Sequence, residues 1–103
     1  MVKLQTIEQF QEFKKQATVF LFSAKWCPDC RYIEPFMDEI EKLYSEYAFV
    51  YVDRDQFIDL CLENNIYGIP SFLVFKNNEL KGSFASKLRK TKAEIVNFIN
   101  SIK

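Results

Sequence analysis

Two continuous apolar runs, Val19 to Phe22 and Ala48 to Val52, stand on either side of a long stretch with helical periodicity, and this arrangement narrows the fold more than any other feature. Runs without polar alternation read as strands buried on both faces, and strands joined through a helix pair in parallel. The helix between them runs from Pro28 to about Tyr47. Ile33, Phe36, Met37, Ile40, Leu43, Tyr44 and Tyr47 form its apolar stripe, and Pro35 inside it removes an amide donor and predicts a kink. Upstream, Thr6 and Gln9 make a capping box for a helix carrying Ile7, Phe10, Phe13 and Ala17. Downstream, Asp53 or Asp55 caps a short helix carrying Phe57, Ile58, Cys61 and Leu62. Phe72 to Phe75 and Leu80 to Ala85 then flank Asn77-Asn78, a pair that tolerates left-handed backbone angles and suits a hairpin. Thr91 with Glu94 opens a last helix, striped by Ile95, Phe98, Ile99 and Ile102. The 103 residues therefore predict one α/β domain over 1–103, with a mixed central sheet and helices on both faces.

The residue inventory removes whole classes of chemistry. With no histidine, Ser/His and Cys/His nucleophiles and His-ligated zinc are excluded. Two glycines leave no phosphate-cradling loop, so nucleotide binding of the P-loop or dinucleotide kind is excluded as well. Fourteen basic and fourteen acidic side chains balance, and nothing global draws the chain to nucleic acid or to an anionic membrane. The apolar runs are far too short to span a bilayer, and Met1 to Phe10 has neither an apolar core nor a cleavage site of a secretory leader. Three cysteines, an odd number, argue against a secreted disulfide scaffold. The expected setting is the cytoplasm, where thiols rest reduced.

Trp26-Cys27-Pro28-Asp29-Cys30 lies between the first strand and the long helix. Cysteines three apart in a first helical turn share one face, close enough to open and close a disulfide with little backbone movement. The first also meets unpaired amides and the positive end of the helix dipole, which favour thiolate over thiol. Pro28 suits the first helical position, where its missing donor would have been unpaired anyway.

With these residues the chain resembles the thioredoxin superfamily along nearly its whole length: strand, WCxxC, helix with Pro35 five residues after Cys30, strand, short helix, Gly68-Ile69-Pro70-Ser71, hairpin and terminal helix. The Pro-Asp pair between the cysteines is similar to the subset carrying WCPDC. The resemblance implies a thioredoxin-like fold, Cys27 as attacking nucleophile, Cys30 as resolving thiol, a reversible Cys27–Cys30 disulfide and a cis bond before Pro70. It also implies that Trp26, Pro28, Ile69 and Pro70 form the surface against which a substrate chain lies. Three departures stand out. Many thioredoxins carry a buried aspartate six residues before the first cysteine, where this chain has Leu21. A lysine that partners that aspartate maps onto the second strand near Phe49, and a glycine usual after the hairpin is replaced around Ala85. The usual buried proton acceptor for the resolving thiol is therefore missing, and Asp29 is the nearest carboxylate in sequence.

Each signal has a plainer reading beside it. The CxxC could be half of a zinc site or two inert core thiols, but only Cys61 remains to complete a ligand set, so no metal is expected. Cys61, on an apolar helical face, is expected to be a buried structural thiol. Asp29 is an ordinary dipole-stabilising residue or else a tuning or proton-accepting one. As a charge beside Cys27 it would make the pair more reducing by about 10 to 20 mV. Lys81, Lys87, Arg89, Lys90 and Lys92, and the acidic Glu34, Asp38, Glu39, Glu41 and Glu46, are expected to be solvated faces. The reading that follows is a monomeric cytoplasmic thiol-disulfide oxidoreductase without a bound cofactor. It would reduce disulfides of proteins or small molecules and be recycled by a thioredoxin reductase, with no nucleic acid or membrane partner. The rivals are a thioredoxin-fold binding module whose thiols are dispensable and a protein whose chains share an iron–sulfur cluster.

Overall fold

The computed structural model describes residues 1–102. Along the chain run β1 (Val2–Lys3), α1 (Ile7–Phe13), β2 (Thr18–Ser23), α2 (Pro28–Leu43), β3 (Ala48–Asp53), α3 (Ile58–Glu63), β4 (Ser71–Lys76), β5 (Glu79–Phe84) and α4 (Lys92–Ile102). One five-stranded sheet takes the order β1-β3-β2-β4-β5. β1 and β2 both pair with β3 in parallel, whereas β4 is antiparallel to β2 and to β5, so the sheet is mixed.

Alternation along the central strand sorts the core into two. Phe20 and Phe22 point to one face, where they meet Phe10 of α1, Leu60 and Cys61 of α3, and Leu73 and Phe75. Val19 and Leu21 point to the other, against Ile33, Met37 and Ile40 of α2 and Ile95 and Ile99 of α4. Every residue of β2 is buried, as a strand covered by helices on both sides must be.

Local signals set most boundaries. The Thr6 hydroxyl accepts from the Gln9 amide at 3.1 Å, and Thr91 and Glu94 bond reciprocally at 3.1 and 2.8 Å. Asn77 and Asn78 sit at φ 55° and 64°, the left-handed pair of a two-residue hairpin. Other expectations need correction. The long helix stops at Leu43, so Tyr47 lies beyond it, and Leu43 is exposed. Ile7, Ile58 and Leu62 are exposed rather than buried. The Asp53 carboxylate accepts from the Asp55 and Gln56 amides in the turn ahead of α3, whose own cap, Phe57, offers no side-chain bond. The edge strand β1 has no sequence signal of its own and is defined by its pairing with Val50 and Tyr51.

Candidate active site

β2 delivers the chain to the sheet end at which α2 begins, and Cys27 is the residue at the junction. Its backbone is extended, at φ −81° and ψ 115°, and its Sγ accepts from the Cys30 amide at 3.2 Å, so the sulfur itself caps the helix. The same Sγ lies 3.9 Å from the Ile69 carbonyl, which its thiol can reach as a donor. The Ile69–Pro70 peptide is cis. Pro28 takes the first position of the helix.

The two thiols are free and differently placed. Both belong to a small buried cluster with Ala24, against which Ile69 packs. Cys30 is fully enclosed, and burial, with a hydrogen bond to Cys27, pushes its thiol up to about 12. It is therefore protonated at neutral pH. Cys27 opens onto a groove of about 340 Å³ whose walls include Trp26, Ile58, Leu62, Tyr67 and Ile69. Trp26 and Tyr67 are 60% and 70% exposed, so an apolar surface surrounds the groove that Cys27 borders.

Contacts distant in sequence orient this rim. The Trp26 indole donates to Asp55 Oδ2 at 2.7 Å, and that bond, reinforced by Arg54, holds the Asp55 carboxyl below its ordinary range. Asp29 is met from the far end of the chain: Arg89 Nε donates to its Oδ1 at 2.8 Å, while the guanidinium lies 4.4 Å over the Tyr32 ring. The charge between the cysteines thus has a cation of its own. Gly68 lets the 85–90 loop approach, since a Cβ there would stand 2.8 Å from the Lys87 backbone.

One expectation is corrected at the site. Lys90 is not on a solvated face. It is 1% exposed, and its ammonium donates to the Ser86 carbonyl and hydroxyl and the Leu88 carbonyl, with Phe84 beneath it. The β3 residue opposite Leu21 is Tyr51, whereas Phe49 lies opposite Val19. Neither Asp55 as partner of Trp26 nor Arg89 as partner of Asp29 was legible from sequence, because each bond joins residues far apart in the chain.

Cys61 is buried and its thiol is pushed up by burial, although the residue lines the groove floor. With Cys27 and Cys30 oxidised, a bulky maleimide is expected to leave the folded protein unlabelled and to add once after denaturation. Rapid labelling of the folded form would show that the groove exposes this thiol.

Comparison with known proteins agrees with this geometry. The Thioredoxin family model matches residues 1–101. Thioredoxin 1 of Plasmodium falciparum is 35% identical over 80 residues, covering 75% of this chain and 77% of that protein. Human thioredoxin is 35% identical over 79 residues, covering 73% and 75%. Against mitochondrial thioredoxin-2 of Schizosaccharomyces pombe, at 27% identity, the match spans only 62% of the relative's length. Among solved structures, a thioredoxin from Trypanosoma brucei brucei superposes with TM-score 0.88 at 22% identity, over 99% of this chain and 89% of that one.

Proposed function

The chain belongs to the thioredoxin family, and from that membership together with the Cys27–Cys30 geometry we propose that it is a thiol-disulfide oxidoreductase working mainly as a disulfide reductant. The single observation that carries the reading is the asymmetry of the pair: one sulfur caps a helix and borders an open groove, the other is enclosed directly behind it. Cys27 attacks a substrate disulfide, one substrate sulfur leaves as thiolate, and a mixed disulfide forms. Cys30 then attacks Cys27 Sγ, the second substrate sulfur leaves, and the Cys27–Cys30 disulfide remains for an external reductant to reopen. The two electrons gained by the substrate are those lost by the dithiol.

Trp26, Pro28, Ile69 and Pro70 form the surface that receives the substrate chain, and Asp29, paired with Arg89, tunes the couple. A thioredoxin reductase is the proposed electron donor, the cytoplasm the proposed compartment and a monomer the proposed working form. The test is reduction of an interchain disulfide in a small two-chain protein, with dithiothreitol as terminal reductant. Catalysis by the native chain and none by the Cys27→Ser/Cys30→Ser variant supports the reading. Equal activity of the two would favour a binding module instead.

A further inference from the structure

The groove beside Cys27 carries charge of one sign. Its charged lining residues are Arg54 and Lys87, and among the described residues no acidic side chain lines it, although acids and bases balance over the whole chain. Two acids beside the site are engaged already. Asp55 Oδ1 accepts from Arg54 at 3.0 Å and its Oδ2 from the Trp26 indole at 2.7 Å, while Asp29 accepts from Arg89 at 2.8 Å. Arg54 is thus answered by Asp55. Lys87 is exposed and has no ion-pair or hydrogen-bond partner among the described residues.

The backbone sets Lys87 next to the reacting sulfur. A Cβ on Gly68 would stand 2.8 Å from the Lys87 N, Cα and Cγ, so the main chain and the start of the lysine stem lie directly over Gly68. The following residue, Ile69, holds its carbonyl 3.9 Å from Cys27 Sγ. The loop is fastened on either side of Lys87, because the buried Lys90 ammonium donates to the carbonyls of Ser86 and Leu88 at 3.4 and 3.1 Å. Arg89 ties the same loop to α2 through Asp29. The root of Lys87 is held, and its four-carbon stem swings over the rim.

Between the two cations the walls are apolar, with Ile58, Leu62 and Tyr67. Resting on the dithiol reading above and deepening it, we propose that Lys87 makes the groove selective for disulfide-bearing peptide segments that carry a carboxylate beside the reacting cysteine and an apolar side chain next to it. Consecutive Cα atoms lie about 3.8 Å apart, so a side chain one or two residues from a cysteine held at Cys27 reaches the rim over Gly68. The carboxylate supplies the partner that Lys87 lacks. The apolar side chain covers Leu62 and Tyr67, which are exposed in the unoccupied groove. Oxidised glutathione offers carboxylates but no large apolar side chain, and so fills half of such a site. Lys87 acts on encounter and binding, and the path of the electrons through Cys27 and Cys30 is unchanged.

The experiment uses the pre-reduced chain and disulfide-linked dimers of a short peptide with leucine and glutamate ahead of its single cysteine, against dimers with glutamine or lysine in place of the glutamate. The second-order rate of dithiol oxidation is read by mass after acid quenching, at neutral pH and low ionic strength. The glutamate dimer is expected to react about two- to fivefold faster than the glutamine dimer, the scale of an exposed ion pair. That ratio should fall towards one in about 0.5 M salt. Lys87→Gln should bring it towards one at low salt, and Lys87→Glu should make the lysine dimer the faster substrate. Lys81→Gln, on β5 beside Tyr47 and away from the groove, should keep the native ratio. Oxidised glutathione should react more slowly than the glutamate dimer. Equal rates for the glutamate and glutamine dimers in the native chain, a ratio that survives Lys87→Gln or is lost only in Arg54→Gln, or glutathione matching the glutamate dimer, overturns the proposal. Failure of the native chain to be oxidised by any of these disulfides overturns the dithiol reading itself, and the proposal with it.

Discussion

Cys27→Ser is expected to abolish disulfide reduction, while Cys30→Ser is expected to accumulate a covalent adduct with the substrate through Cys27. The difference follows from position. Cys27 Sγ borders the groove and accepts the Cys30 amide, an arrangement that stabilises the attacking sulfur and presents it to a partner. Cys30 has no exposure and can reach only the sulfur in front of it. Without Cys27 no bond to substrate forms. Without Cys30 the bond forms and lacks an intramolecular thiol to release it. Mass spectrometry of each variant after incubation with a disulfide-bonded peptide distinguishes the outcomes. An adduct on Cys30 in Cys27→Ser, or none in Cys30→Ser, would contradict the assignment.

The second large effect lies in the core that holds the site in place. Phe20 sits in the middle of β2, fully buried, with its ring centroid 4.6 Å from Phe10 and 5.8 Å from Phe75, the latter edge-on at 79°. Phe20→Ala leaves α1, β2 and β4 without their shared contact and is expected to cost about 3 to 5 kcal/mol. Set against a total of about 5 to 15 kcal/mol for an ordinary domain, that loss brings the chain close to unfolding. The urea midpoint should fall steeply with little change in the denaturant slope. A loss under about 1 kcal/mol would mean that α1 and β4 do not depend on the Phe10–Phe20–Phe75 cluster.

What sequence could and could not show divides along the range of the interactions. The capping boxes at Thr6 and Thr91, Pro28 at the helix start and the Asn77-Asn78 turn are local rules, each readable within a few residues. The CxxC at a strand-to-helix junction is local too, which is why Cys27 and Cys30 stood out. Periodicity fixed element type but overstated some apolar faces. Ile58 and Leu62 follow a helical stripe yet line an open groove, because α3 turns only part of its surface to the sheet. β1 is two residues long and exists through its partner strand. Lys90 reads as one more charge in a basic run, and only the path of the 85–90 loop takes it inside. The register that sets Tyr51 opposite Leu21 depends on how two strands align across an intervening helix, which no local pattern shows.

The central claim is that the Cys27–Cys30 pair donates electrons, and the measurement that tests it most directly is its equilibrium potential against glutathione. The fraction of dithiol is to be read by mass after acid quenching. The account predicts a strongly reducing couple, about −270 mV as is general for thioredoxins, so that only a large excess of oxidised glutathione closes the disulfide. A value at or above about −180 mV, where disulfide isomerases and oxidants lie, would contradict it.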